Sequence, residues 1–158
     1  MRARVAAAAF LVAVIAIAAP ARAQQAHPGL QVWKSAGCPE CHGVLGQGGD
    51  DGDHPKGPNL HRIYQDRAFL IETVSCGRPT TPMPAFLDVA YTRRICNGYL
   101  SPNGVPPEIN RLALLTADEV ALVVQYVLDR VMGMGEISRS ECAAYFGDAD
   151  HPVCAGAR

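Results

Sequence analysis

Cys38-Pro39-Glu40-Cys41-His42 is the segment of this sequence whose residue types and spacing carry the most chemistry. Two thiols three positions apart can each add across one vinyl group of a haem, and the adjacent imidazole then reaches the iron. A C-x-x-C pair also serves as a thioredoxin-like dithiol, but that chemistry comes with a strand–helix–strand setting that these flanks do not offer. Half of a zinc site is the third reading, and no second cysteine pair at zinc-ligand spacing follows. The motif therefore points to a single covalently attached haem c, anchored at Cys38 and Cys41 and ligated by His42.

A sixth ligand has to come from elsewhere. Met83 lies 41 residues after His42, inside Thr81-Pro82-Met83-Pro84-Ala85-Phe86. Prolines on both sides stiffen this strap, so a thioether held there loses little entropy on binding. Met132 and Met134, the histidines His54, His61 and His151, and the thiol of Cys76 are weaker alternatives. Asp50, Asp51 and Asp53 resemble part of a calcium loop, but the terminal glutamate of the full spacing is missing. Tyr64, Tyr91 and Tyr99 read as packing for a haem pocket.

The stretches around the motif resemble class I cytochromes c. In that family an early helix carries a glycine and, four residues later, an aromatic, as Gly29 and Trp33 do here. Gly57-Pro58-Asn59-Leu60 matches a tetrapeptide that follows the haem motif. Val123 and Tyr126 fit a late helix that packs across the first one, and the Met83 strap has the family's form. The resemblance covers about residues 28–132. It implies an all-α class I cytochrome c fold with long loops around one covalently attached haem. It also implies that Pro58 supports His42 through its carbonyl, a contact that fixes the ligand ring, and that Met83 is the axial partner.

Several elements must position these groups. Leu30 to Ser35 reads as a short helix entering the motif, and the glycine-rich stretch from Gly43 to Pro58 reads as a loop. Asp66 caps a helix that runs through about Ser75 and stops at Gly77. Thr116 and Glu119 form a capping box, followed by Val120, Val123, Val124, Val127, Leu128 and Val131 at helical spacing. Ser138 and Glu141 repeat the box before a short helix ending near Gly147. Residues 88–113 form an irregular insertion, and residues 133–158 a tail. Loops of this length need an organiser, and a haem would be one.

Arg2 and Arg4 precede an apolar run that ends in Ala21-Arg22-Ala23, the pattern of a cleaved signal peptide over residues 1–23. Cleavage leaves residues 24–158 as one domain, removes three arginines and takes the formal charge from −1 to −4. The run is shorter than the ~20 residues of a spanning helix. The basic residues form no cluster or stripe, so nothing suggests a nucleic-acid partner. Cys76, Cys96, Cys142 and Cys154 are an even number of further cysteines in an exported chain, so two disulfides are expected. Three pairings are open, and the sequential one, Cys76–Cys96 with Cys142–Cys154, is favoured.

Histidine and methionine together fill both axial positions, which leaves outer-sphere electron transfer and no place for oxygen or peroxide. The expectation is a soluble periplasmic one-electron carrier and not an enzyme. Its donor would be a periplasmic dehydrogenase, with the quinoprotein (PQQ) alcohol dehydrogenases as one class, and its acceptor an oxidase or another cytochrome. A haem enzyme or gas sensor with a labile sixth ligand is the rival, and a tightly bound haem subunit of a larger oxidoreductase is a third reading.

Overall fold

The computed structural model describes residues 27–49, 53–101, 103, 106, 109–110 and 115–157. The expected signal peptide, Asp50 and Asp51 lie outside them. Five α-helices are present among the described residues: α1 (Pro28–Ser35), α2 (Cys38–His42), α3 (Arg67–Cys76), α4 (Ala117–Arg130) and α5 (Arg139–Phe146). Single turns of 3-10 helix follow at Leu60–Arg62 and Pro152–Gly156. No described helix is long and apolar enough to cross a membrane.

Local chemistry sets each helix start. The His27 ring accepts from Gly29 N ahead of Pro28, a residue suited to the first turn. Asp66 accepts from Phe69 N at 2.8 Å and opens α3. Thr116 with Glu119, and Ser138 with Glu141, form reciprocal capping boxes at α4 and α5. The valine stripe of α4 buries Val120, Val123, Val124 and Val127. The long helix ends at Arg130 with Val131 as its cap.

α4 packs against both α1 and α3. Its crossing with α1 is backbone to backbone at Gly29. A Cβ placed there would stand 2.0 Å from the Leu122 carbonyl oxygen and 2.6 Å from Tyr126 Cβ. Trp33 of α1 lies 5.9 Å from Tyr126, ring to ring, and is almost wholly buried. The main core adds Phe86, Tyr91 and Val131 to these helices.

The structure corrects the fold expectation. An all-α class I cytochrome c fold is not what the chain forms, because less than half of the described residues are helical. A large share of the order belongs to non-helical segments held by isolated β-bridges and a disulfide. Leu87 bridges Leu115, Ala90 bridges Arg94, Cys96 bridges Tyr99 and Gly49 bridges Gly57. The physical reason lies in the Pro- and Gly-punctuated stretches between α3 and α4, which cannot sustain helical hydrogen bonding. Their backbone groups are satisfied instead across the sequence, as when Leu115 N donates to Phe86 O and Asp88 N to Leu115 O.

Two disulfides are present, Cys76–Cys96 and Cys142–Cys154, which is the sequential pairing. The second builds a small satellite core in which Cys142 and Cys154 pack with Leu45, a residue just after α2. Lys34 ties this tail to α1. Its ammonium donates to the Tyr145 carbonyl and sits 4.1 Å from the centre of the Tyr145 ring.

Candidate functional site

α2 is one turn of helix, enough to bring the first and fourth residues of Cys-Pro-Glu-Cys to the same side. Gly43 N donates to Pro39 O at 2.8 Å and closes that turn. Cys38 and Cys41 carry free thiols, while the other four cysteines are spent in the two bridges.

The segment Gly57–Leu60 is pressed onto this turn. Gly57 N donates to Cys41 O at 2.7 Å, and His42 Nδ1 donates to Pro58 O at 3.2 Å. A side chain at position 57 has no room, since its Cβ would be 2.6 Å from Cys41 O and 2.8 Å from His42 Nδ1. With Nδ1 committed to a carbonyl, Nε2 is the His42 nitrogen left for a metal. Trp33 supports the arrangement from behind: its ring is 6.2 Å from that of His42, and its Nε1 donates to Val44 O at 3.2 Å.

Burial dominates the electrostatics here. It holds the His42 imidazole below its ordinary range, with the Pro58 hydrogen bond pulling the other way. The neutral ring is the form that binds a metal. Burial also pushes the Cys38 thiol up to about 12, and it raises Cys41 with a further contribution from the Glu40 charge. Neither sulfur has the depressed thiol that dithiol–disulfide chemistry employs.

Met83 lies on a strap stitched to the end of α3. Arg78 N donates to Met83 O at 3.1 Å, Met83 N donates to Thr81 Oγ1 at 3.3 Å, and Phe86 N donates to Val74 O at 3.1 Å. Cys76–Cys96 fastens α3 to the chain beyond the strap. Met83 and Cys38 are both partly buried and both pack against the main core. Two addable thiols, an oriented imidazole and a thioether on a braced strap form a donor set that suits a haem and its iron.

The other ligand candidates are engaged elsewhere. His61 is buried, with Nε2 2.7 Å from Leu45 O and Nδ1 2.7 Å from Gly135 O. His54 stands 3.5 Å from the Glu40 carboxylate. His151 stacks on Phe146 at 3.7 Å, and the Met132 sulfur accepts from Gln65 N at 3.2 Å. Cys76 is in a disulfide, so its group with Cys96 and Glu72 offers no free thiolate for a cation. Tyr64 is 78% exposed, whereas Tyr91 is fully buried.

Sequence reasoning passed over Glu72. Its carboxylate accepts from the Arg94 guanidinium at 2.9 Å and from Asn97 N at 3.0 Å, joining α3 to the segment beyond the strap. No local signal marks it, because both partners are more than 20 residues away. No family model, curated protein or solved structure matches this chain.

Proposed function

We propose that the chain is a periplasmic one-electron carrier with one haem c, held by thioether bonds from Cys38 and Cys41 and by His42. One observation carries the reading: the two thiols left unbridged sit on one helical turn with His42, whose ring is pinned by Pro58 with Nε2 spare. When bound, the haem supplies an iron that gains and loses single electrons at constant ligation.

Each thiol would add across a vinyl group, its proton going to one vinyl carbon and its sulfur to the other. The high thiol pKa values fit sulfurs retained as neutral thiols until that addition, and they count against a rival dithiol function. Pro58 orients the His42 ring and raises its basicity as a ligand. Met83 is the sixth ligand in this reading, fixed by Arg78, Thr81 and the Cys76–Cys96 bridge. The disulfides fit an oxidising compartment. The donor is a periplasmic dehydrogenase, with PQQ alcohol dehydrogenases as one class, and the acceptor an oxidase or another cytochrome.

The test is extraction of the purified protein with acidified acetone. Haem should stay with the polypeptide at one iron per chain, and haem that passes to the organic layer would sink the proposal. Met83→Ala should abolish the weak long-wavelength sulfur-to-iron band of the oxidised protein, and survival of that band would reassign the sixth ligand.

A further inference from the structure

Eight large hydrophobic residues are exposed among the described residues, and four of them fall in one region: Phe69, Ile95, Tyr99 and Leu100. The last three sit on or beside a two-residue turn. Cys96 and Tyr99 exchange both backbone hydrogen bonds, at 3.0 and 3.1 Å, and the chain reverses through Asn97 (φ 50°) and Gly98 (φ 88°). Positive φ at both positions is the tight hairpin geometry that Asn-Gly favours. Ile95 and Leu100 flank this bridge on its two arms, beyond which Arg94 N turns to Val89 O and Ser101 N to Tyr91 O. Ile95 and Leu100 are 64% and 49% exposed. Phe69 precedes Glu72 by one turn of α3, on the helix face that holds this hairpin.

The tip is rigid. Cys96 is bonded to Cys76, Asn97 N is held by Glu72, and the Asn97 side chain donates to the Tyr91 hydroxyl, which itself donates to Cys76 O at 3.0 Å. An exposed aliphatic pair held this firmly loses little entropy on entering a recess. Grouped apolar residues on an ordered surface mark an interaction site.

The surrounding charge says what kind of surface fits. Arg93, two residues before Ile95, is exposed and has no ion pair among the described residues. Arg94 offsets Glu72, so the rim carries a surplus cation on a chain that is acidic overall. We infer that the Ile95–Leu100 tip, with Phe69 and Arg93, is the docking anchor for a redox protein whose face offers an apolar recess bordered by carboxylates. This rests on the electron-carrier reading proposed above.

The test uses the full mature holoprotein and, as probe, an acidic flavodoxin in its hydroquinone form. Reduction by dithionite provides a reference that needs no docking. The double variant Ile95→Ser/Leu100→Ser should lower the second-order rate with flavodoxin about tenfold, the loss expected for an interface anchor, and leave the dithionite rate unchanged. Arg93→Glu should slow the flavodoxin reaction several-fold more than Arg139→Glu, a matched charge reversal on the tail. A flavodoxin rate indifferent to residues 95 and 100 overturns the docking proposal, as does equal slowing by the two reversals. Concentration-dependent dimerisation in sedimentation, lost in the double variant, overturns it too, since the occupant would then be a second copy. A holoprotein that dithionite cannot reduce fails as an electron carrier, a result distinguishable from all of these.

Discussion

Cys38 and Cys41 share one helical turn, yet their sulfurs are not equivalent. Burial takes the Cys38 thiol to about 12, and the raised Cys41 thiol is the less deeply placed of the two. The thiolate is the species that alkylates, so raising pH through the alkaline range creates it. In haem-free protein at pH 8, iodoacetamide should label Cys41 well before Cys38, and Cys38 labelling should keep climbing as pH approaches 12. Peptide mass mapping reads both, and equal rates would refute the difference. His61 makes a second prediction. It meets two backbone carbonyls, one just after α2 and one before α5. His61→Phe removes the ring's hydrogen bonding to this pair of carbonyls and should cost roughly 1–3 kcal/mol, read as a lower urea midpoint. The cysteine motif and the even count of remaining cysteines were legible in the sequence, because the chemistry is set by neighbours a few positions apart. His61 was not, since nothing near residue 61 announces contacts at 45 and 135.

Helix starts were the most legible elements. Asp66, Thr116 and Ser138 each cap where spacing placed them, because a cap is settled within four residues. Thr116→Ala should cost about 1 kcal/mol, with thermal denaturation as the check. The α1–α4 crossing is less forgiving. Gly29→Ala drives a methyl group into the Leu122 carbonyl, where only backbone can yield. Separation of the helices should cost roughly 3 kcal/mol and weaken the Trp33–Tyr126 contact, visible as altered tryptophan emission. The segment between α3 and α4 was legible only as irregular. Its bridges and the Glu72 contacts join positions far apart, which periodicity does not encode. The class I expectation failed for the same reason: matching residues at α1, α2 and α4 do not determine how the chain travels between them.

The molecule has a main core built on α1, α3 and α4, and a satellite core under the tail. Cys142–Cys154 closes a loop with sequence separation 12, a staple worth about 3 kcal/mol in the chain-entropy model. Because the satellite is small, that loss should be local. Replacing both cysteines with alanine should raise amide exchange across α5 and the residues after it, while α1 and α4 keep their protection. Uniformly faster exchange would mean that the tail is integral to the main core.

The intervals spanned by the two bridges, 76–96 and 142–154, neither overlap nor enclose one another. A chain that emerges amino terminus first can therefore seal each crosslink as its second sulfur arrives, without reshuffling the other. The vulnerable interval comes earlier. Cys38 and Cys41 emerge before any other cysteine and stay unbridged, so on the proposed haem c reading, until a prosthetic group caps them, the next oxidant-accessible mate is each other or Cys76. On that reading, order of arrival sets a race between prosthetic-group attachment and crosslinking of the same sulfurs.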